Sequence, residues 1–426
     1  MKYIIVGKMD YDTWYRVDNV AKVFLASANE RDTRSFRITC TLKEAIEEYV
    51  LKEAVKSAAK ERPQYQVTIL RGVFWHYMEQ IDDEPEVAEE NDRPCPMLFD
   101  SKHFGKLHYR VTYFHKRINL DFCHAIADGN GAIEFLNLIV YHYLKLKYPD
   151  KIPDLTMTSG ASEADLSEDS YRQYYSKKQK SIKKKKYKRA YHIKGSKLPF
   201  NQIRFMEVHM DVKAILQKAK ENKVSLTSYI ASKLMMSIYK DMPVLNRIQP
   251  VTISMPVNLR NYYPSNSSRN FFNSVLVSHY FKSTDTFESV AAQFQEALKQ
   301  ELTPEAIETR MIDYEKLERS FFIKIFPLFI KNLAVNIGAK NSAKKVTAVV
   351  SNLGILKVPE ALDSYIESYN AYCSTSSLFM VCSTYKDKLV LGISSAYKNT
   401  RVLRDFIKGL ADEGIDITLY STEVID

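Results

Sequence analysis

Residues 121–144 read DFCHAIADGNGAIEFLNLIVYHYL. Just upstream, Ile118, Leu120 and Phe122 alternate with Asn119, Asp121 and Cys123, the two-residue period of a half-buried strand. The alternation breaks over 125–131, where Asp128, Gly129, Asn130 and Gly131 are turn formers. Apolar residues then return at helical spacing, with Ile133, Leu136, Leu138, Ile139, Tyr143 and Leu144 on one face. The reading is a strand, a sharp loop and a helix, with His124 at the strand end and a loop of the form H-x-x-x-D-G.

A histidine has its ordinary pKa near neutrality, so it can accept and return a proton within one turnover. The loop must hold its ring in one orientation. Asp128 pins that loop if a cation meets it inside the protein, and Gly129 permits a backbone angle that other residues resist. On this reading Asp128 is structural rather than a second base. The bland alternative is a strand-end histidine satisfied by its neighbours, and three fixed positions alone do not separate the two.

The composition narrows the class. A chain of 426 residues, 45% hydrophobic and 12% aromatic, has material for two or three lobes with substantial cores, which excludes a disordered chain. Cys40, Cys95, Cys123, Cys373 and Cys382 are scattered without a C-x-x-C pair, which suits a reduced, cytoplasmic protein. The N-terminal apolar run is too short for a signal peptide. The histidines do not group, so no metal is expected. The net charge of +10 owes much to the basic run 177–189. That run reads as a solvated face, as a patch for nucleic acid or anionic lipid, or as a lure for the phosphates of a nucleotide-like donor. The rest of the chain shows no nucleic-acid fold signature, so no nucleic-acid partner is expected. Residues 321–339 are strongly apolar, but Lys324, Pro327 and Lys331 interrupt them. A spanning helix is not expected; a core helix pair is, with weak association at a membrane surface as the alternative.

Along the chain, α/β patterns fill both halves, each offering a mixed sheet with covering helices. Residues 1–150 form a first lobe carrying the histidine loop, 151–200 a charged linker with helical pieces, and 201–426 a second lobe. Thr41 with Glu44 forms a capping box before a helix running to about residue 60. Ser225 caps a second-lobe helix, another starts at a Ser283/Thr284 cap, and strands cover 251–257, 373–382 and 388–394.

Several separated motifs now stand together: F-W-x-Y at 74–77, D-R-P-C-P at 92–96, H-A-I-A-D-G at 124–129, P-V-N-L-R at 256–260, R-N-F-F-N at 269–273 and S-N-L-G at 351–354. In order and spacing they resemble the chloramphenicol acetyltransferase-like superfamily of CoA-dependent acyltransferases over essentially the whole chain. The likeness is greatest to the alcohol acetyltransferase-like branch. It implies two α/β lobes with a channel between them, acyl-CoA as co-substrate with no permanently bound cofactor, and a small-molecule alcohol or amine as acceptor. A monomer could then form its own channel.

The resemblance implies that His124 is the general base, and that Asp128 turns away from substrate to pair with Arg260. An oxyanion then needs donors. The candidates are Ser351 and Asn352, the hydroxyls of Ser374 and Ser376, and Asn258; Asn258 and Asn273 read equally well as turn-stabilising. Cys123 stands where many relatives have a second histidine, and the D-F-G-W-G motif of the plant branch is missing. No G-x-S-x-G elbow is present and Cys123 points away from His124 along the strand, so no acyl-enzyme is expected. The rival readings are a condensation-type domain fed by an acyl carrier protein docked on 177–189, and a non-catalytic protein that binds an acyl compound or a partner.

Overall fold

The computed structural model describes residues 14–100, 103–157, 163–174, 186–200, 202–319 and 326–422. Two cores organise them. The first sheet has five strands in the order Ile366–Cys373, Ser35–Leu42, Arg117–Cys123, Tyr109–Phe114, Val87–Glu89. The second has seven, in the order Phe272–His279, Val251–Asn258, Ala348–Ile355, Leu378–Tyr385, Lys388–Ser395, Arg204–Asp211, Thr418–Ser421. A small third sheet pairs Trp14–Arg16 and Val67–Arg71 with His76–Gln80.

Helices cover the sheets because their apolar residues fall on one side. Gly129–Lys147 buries Phe135, Leu136, Ile139, Tyr143 and Leu144 and packs beside Glu48–Glu61 on the first sheet. In the second lobe Leu226–Asp241 buries Tyr229, Ile230, Leu234 and Met235, and the Ser225 side chain accepts from the Ser228 N–H at its start. The two sheets meet backbone to backbone at Gly392, where a Cβ would stand 1.9 Å from the Ala371 carbonyl oxygen.

Several sequence expectations need correction. Thr41 lies inside the strand Ser35–Leu42, and the helix Glu48–Glu61 begins after Glu47 with no side-chain cap. The capping-box spacing was present, but strand pairing claimed the threonine. The helix expected from a Ser283/Thr284 cap is Phe287–Glu301, capped by Thr286 in a box with Ser289. The strand expected from 373 onward splits in two. Ile366–Cys373 joins the first sheet beside Ser35–Leu42, Leu378–Tyr385 joins the second, and residues 374–377 are the crossing between them. Sequence position places 366–373 within 201–426, yet its Tyr369 sits in the core of the first lobe and donates to Asn137 Oδ1 at 2.7 Å. Alternation along a strand does not say which sheet edge will take it. The charged segment 151–200 has helical pieces, Glu163–Ser167 and Ser170–Gln173, and packs onto the fold where described. The Ser268 N–H donates to the Leu166 carbonyl and Ser267 Oγ to that of Glu168, so 163–174 packs against 264–272. Most of the run 177–189 lies outside the described residues.

Among its described residues, the apolar segment 321–339 does not form a core helix pair either. Residues 321–325 lie outside the described residues, and the helix Leu328–Ala343 buries none of its side chains. Among the described residues no helix is long and apolar enough to cross a membrane.

Candidate active site

His124 follows the strand Arg117–Cys123 directly, and its N–H donates to the Arg34 carbonyl at 2.9 Å. The chain then turns, and Asp128 caps the helix Gly129–Lys147 by accepting from the Gly131 N–H at 3.1 Å. A carboxylate suits that end, where unpaired N–H groups and the helix dipole both favour negative charge. Its other oxygen accepts from Arg260 Nη1 at 2.6 Å and from the Phe271 N–H at 3.1 Å.

Arg260 is the hub between the lobes. Asn258 caps its 3-10 turn by accepting from the Arg260 N–H at 3.0 Å. The guanidinium Nη2 donates to the Ser267 and Arg269 carbonyls at 2.6 and 2.8 Å. A planar fork is required to reach a carboxylate and two carbonyls together. Asp128 and Arg260 thus shape the loop 267–271, which carries Asn270.

Asn270 is the residue that sequence reasoning missed. Its Oδ1 is 3.2 Å from His124 Nδ1, and its Nδ2 donates to the His124 carbonyl at 2.9 Å. Nδ2 also donates to Asp18 Oδ2 at 3.2 Å, while Asp18 Oδ1 accepts from the Ala21 N–H at 2.7 Å. Both Asn270 and Asp18 are buried. Burial, with the nearby charge of Asp169, pushes the Asp18 carboxyl up to about 7. R-N-F-F-N was visible in the sequence, but nothing there distinguishes Asn270 from Asn273. In the fold Asn273 turns inward with Val275 and Val277, away from His124.

The hydrogen bonds fix the His124 tautomer. Nδ1 faces two acceptors, the Ala127 carbonyl at 3.1 Å and Asn270 Oδ1, so Nδ1 carries the proton and Nε2 is a lone-pair acceptor. The ring lies among Phe24, Phe36 and Phe272, with centroids 4.4, 4.6 and 5.5 Å away. Burial pulls the His124 pKa below 6.5, although the Asp128 charge and the hydrogen bonds at the ring and backbone oppose it. The neutral imidazole therefore dominates at pH 7. Cys123 is buried on the other side of the strand, where burial raises its thiol to about 12.

The glycines play roles other than expected. Gly129 is not in the left-handed region; a Cβ there would meet only the tip of Leu353, at 3.2 Å. Gly131 is the crowded one. Its Cβ would lie 2.4 Å from the Ser268 carbonyl oxygen and 2.7 Å from the Tyr65 hydroxyl. Gly131→Ala must therefore displace the loop that holds Asn270, and is expected to lower stability by about 1–3 kcal/mol, in the manner of an overpacked core. Gly129→Ala should cost less, since a leucine tip can move. Thermal melts of the two variants check this ordering; equal melting temperatures would contradict it.

The remaining candidates divide. Ser374 Oγ accepts from the Thr33 N–H at 3.0 Å and is buried, two strands and so roughly 10 Å across the sheet from His124. Ser376 lies in the crossing, where its carbonyl accepts from Lys197 Nζ. Asn352 donates to Thr227 Oγ1 and accepts from the Gly354 N–H. Asn258 is committed to Arg260. Ser351 is half-buried, two residues from Leu353, whose tip a Cβ at Gly129 would meet. Among the described residues no cluster of three His, Cys, Asp or Glu side chains could hold a metal ion.

A histidine pinned between two α/β lobes by an Asp–Arg pair places the chain in the chloramphenicol acetyltransferase-like class of two-lobed folds. Known structures share this architecture at low identity. The trichothecene 15-O-acetyltransferase of Fusarium sporotrichioides matches with a TM-score of 0.63 and 10% identity, over 95% of this chain and 96% of that one. A mutant of the starter condensation domain of rhizomide synthetase, in complex with C8-CoA, matches with a TM-score of 0.62 and 11% identity, over 96% and 98%. Polyketide synthase associated protein 5 of Mycobacterium tuberculosis matches with a TM-score of 0.59 and 12% identity, over 94% and 98%. No curated protein matches the chain. The sequence profile of the alcohol acetyltransferase family matches residues 111–406, well over half of the chain. The chain belongs to the alcohol acetyltransferase family, and is an acyltransferase.

Proposed function

We propose that the protein transfers an acyl group from acyl-CoA to an alcohol, with His124 as general base in a ternary complex. The observation that carries this reading is the commitment of Nδ1 to Ala127 and Asn270, which leaves Nε2 as the basic nitrogen. Nε2 takes the hydroxyl proton as the acceptor oxygen attacks the thioester carbonyl. The tetrahedral oxyanion collapses, the C–S bond breaks, and His124 returns the proton to the departing thiolate. Ser351 is the oxyanion donor in this reading, since Ser374, Asn352 and Asn258 have partners of their own. The donor and the acceptor meet in a channel between the lobes. The C8-CoA complex and the 15-O-acetyltransferase among similar structures support both halves of the reaction. The test is thiol release from acetyl-CoA and longer acyl-CoAs with an alcohol and amine panel. Release that needs an alcohol supports the reading; amine dependence or no release contradicts it.

Condensation domains among the similar structures favour one second reading, a carrier-protein thioester as donor. Running both thioester types side by side separates the two.

Two further outcomes follow from the geometry. The acid limb of kcat/KM should fall below pH 6.5, because burial holds the imidazole neutral down to that range. The folded pKa lies under the unfolded one, so the unfolded chain takes up this proton first. The stability His124 contributes is thus full above 6.5 and lost as pH falls through its folded pKa. A pH–rate profile with its acid limb above 6.5 would contradict the assignment. Asn270→Ala keeps the Ala127 contact at the ring but removes the bonds to Nδ1, to the His124 carbonyl and to Asp18. The ring bond is worth roughly 0.5–1.5 kcal/mol, so kcat per folded protein should drop about tenfold or less with KM little changed, while the melting temperature falls through the other two.

A further inference from the structure

The helix Leu328–Ala343 is apolar over much of its length and leaves an apolar row facing outward. Phe329 is 72% exposed and Leu333 64%, and Ile337 lies open one turn further on. The half-buried side mixes Leu328, Val335 and Ala339 with Lys331, Asn332 and Asn336. This helix rests on Asn19–Ser27, and its first N–H, from Leu328, donates to the Val73 carbonyl at 2.8 Å. Lys331 Nζ donates to the Phe74 carbonyl at 3.0 Å and sits 3.4 Å from the centre of the Trp75 ring. The hairpin tip at 73–74, also exposed and apolar, therefore extends the outward stripe.

The helix and the chain that follows it carry charge of one sign. Residues 326–357 contain five Lys and no Asp or Glu. At the C-terminal end of the helix the Ala190 N–H donates to the Lys344 carbonyl at 3.0 Å. That bond sets exposed Lys188 and Arg189, the end of the basic run, beside exposed Lys344 and Lys345. An apolar stripe flanked by cations is the pattern of a helix lying in a lipid interface. A second copy of this chain, with net charge +10, would bring like charge against like.

We propose that this face docks the protein on an anionic lipid bilayer. Phe329, Leu333, Ile337 and the hairpin tip enter the acyl boundary, and the lysines engage the headgroups. The surface does not depend on the reaction proposed above. It does lie one helix from the site, since Phe24 of Asn19–Ser27 stacks on His124.

Flotation of the full chain with vesicles tests the proposal. With phosphatidylcholine containing about 30% phosphatidylglycerol, the protein should float at low salt and be released as salt rises. Pure phosphatidylcholine should hold less. Phe329→Ser with Leu333→Ser should lower binding by about tenfold or more while melting as the wild type does, because both side chains are exposed. Lys344→Glu with Lys345→Glu should remove the preference for the anionic vesicles. A wild type that stays unbound, or a double serine variant that binds equally, overturns the proposal. So does a doubled mass in light scattering that Leu333→Ser reduces to one chain, or capture by an acidic acyl carrier protein without any vesicle binding.

Discussion

His124→Ala should lower acceptor-dependent thiol release from acyl-CoA by about 10²–10⁴-fold, the usual value of a positioned general base. The expectation rests on one nitrogen. Nδ1 is occupied by Ala127 and Asn270, so Nε2 has no structural duty among the contacts of the ring. His124→Asn sharpens the test. An asparagine amide can reproduce the Nδ1–H donor while offering no basic nitrogen at the Nε2 position. If His124 is the base, the asparagine variant is as slow as the alanine variant. If asparagine restores the rate, the histidine serves to position the loop, and the proposed mechanism fails. Equal release in wild type and both variants would remove His124 from the chemistry altogether.

Arg260→Met should lower stability by about 3–5 kcal/mol, because it leaves the Asp128 carboxylate buried without its counter-charge. For a lobe of this size that is on the order of 10 °C in melting temperature. The change also releases the Ser267 and Arg269 carbonyls, and with them the loop that sets Asn270 against His124. Activity should therefore fall well below the loss of folded protein when both are measured at a temperature where the variant is native. Arg260→Lys keeps the charge but cannot fork to three acceptors, so it should recover part of the stability and less of the rate. A melting temperature unchanged in Arg260→Met would show that the pair contributes nothing beyond its geometry.

The strand, loop and helix around His124 were legible because each depends on neighbours within a few residues: alternation, turn formers and a 3.6-residue stripe. The pairing of Asp128 with Arg260 was reached through the resemblance, and no local pattern joins positions 132 residues apart. Asn270 was legible only as one of two asparagines in a motif, and Asp18 was not legible at all. Each is an ordinary polar residue in its own stretch, and they act only because the loop 267–271 and the start of Asn19–Ser27 arrive at the same point.

The sequence by itself determined the alternating α and β elements, the family motifs and the histidine loop, since these follow from local periodicity and turn chemistry. Tertiary structure decided the rest. It moved Ile366–Cys373 into the first sheet, because strand pairing is chosen by exposed edges and register rather than by chain order. It made Gly131, not Gly129, the glycine that cannot carry a side chain, because the crowding atoms belong to Ser268 and Tyr65. And it left the row Phe329, Leu333 and Ile337 of Leu328–Ala343 outward, a direction that periodicity cannot supply because a row has the same spacing whichever way it faces.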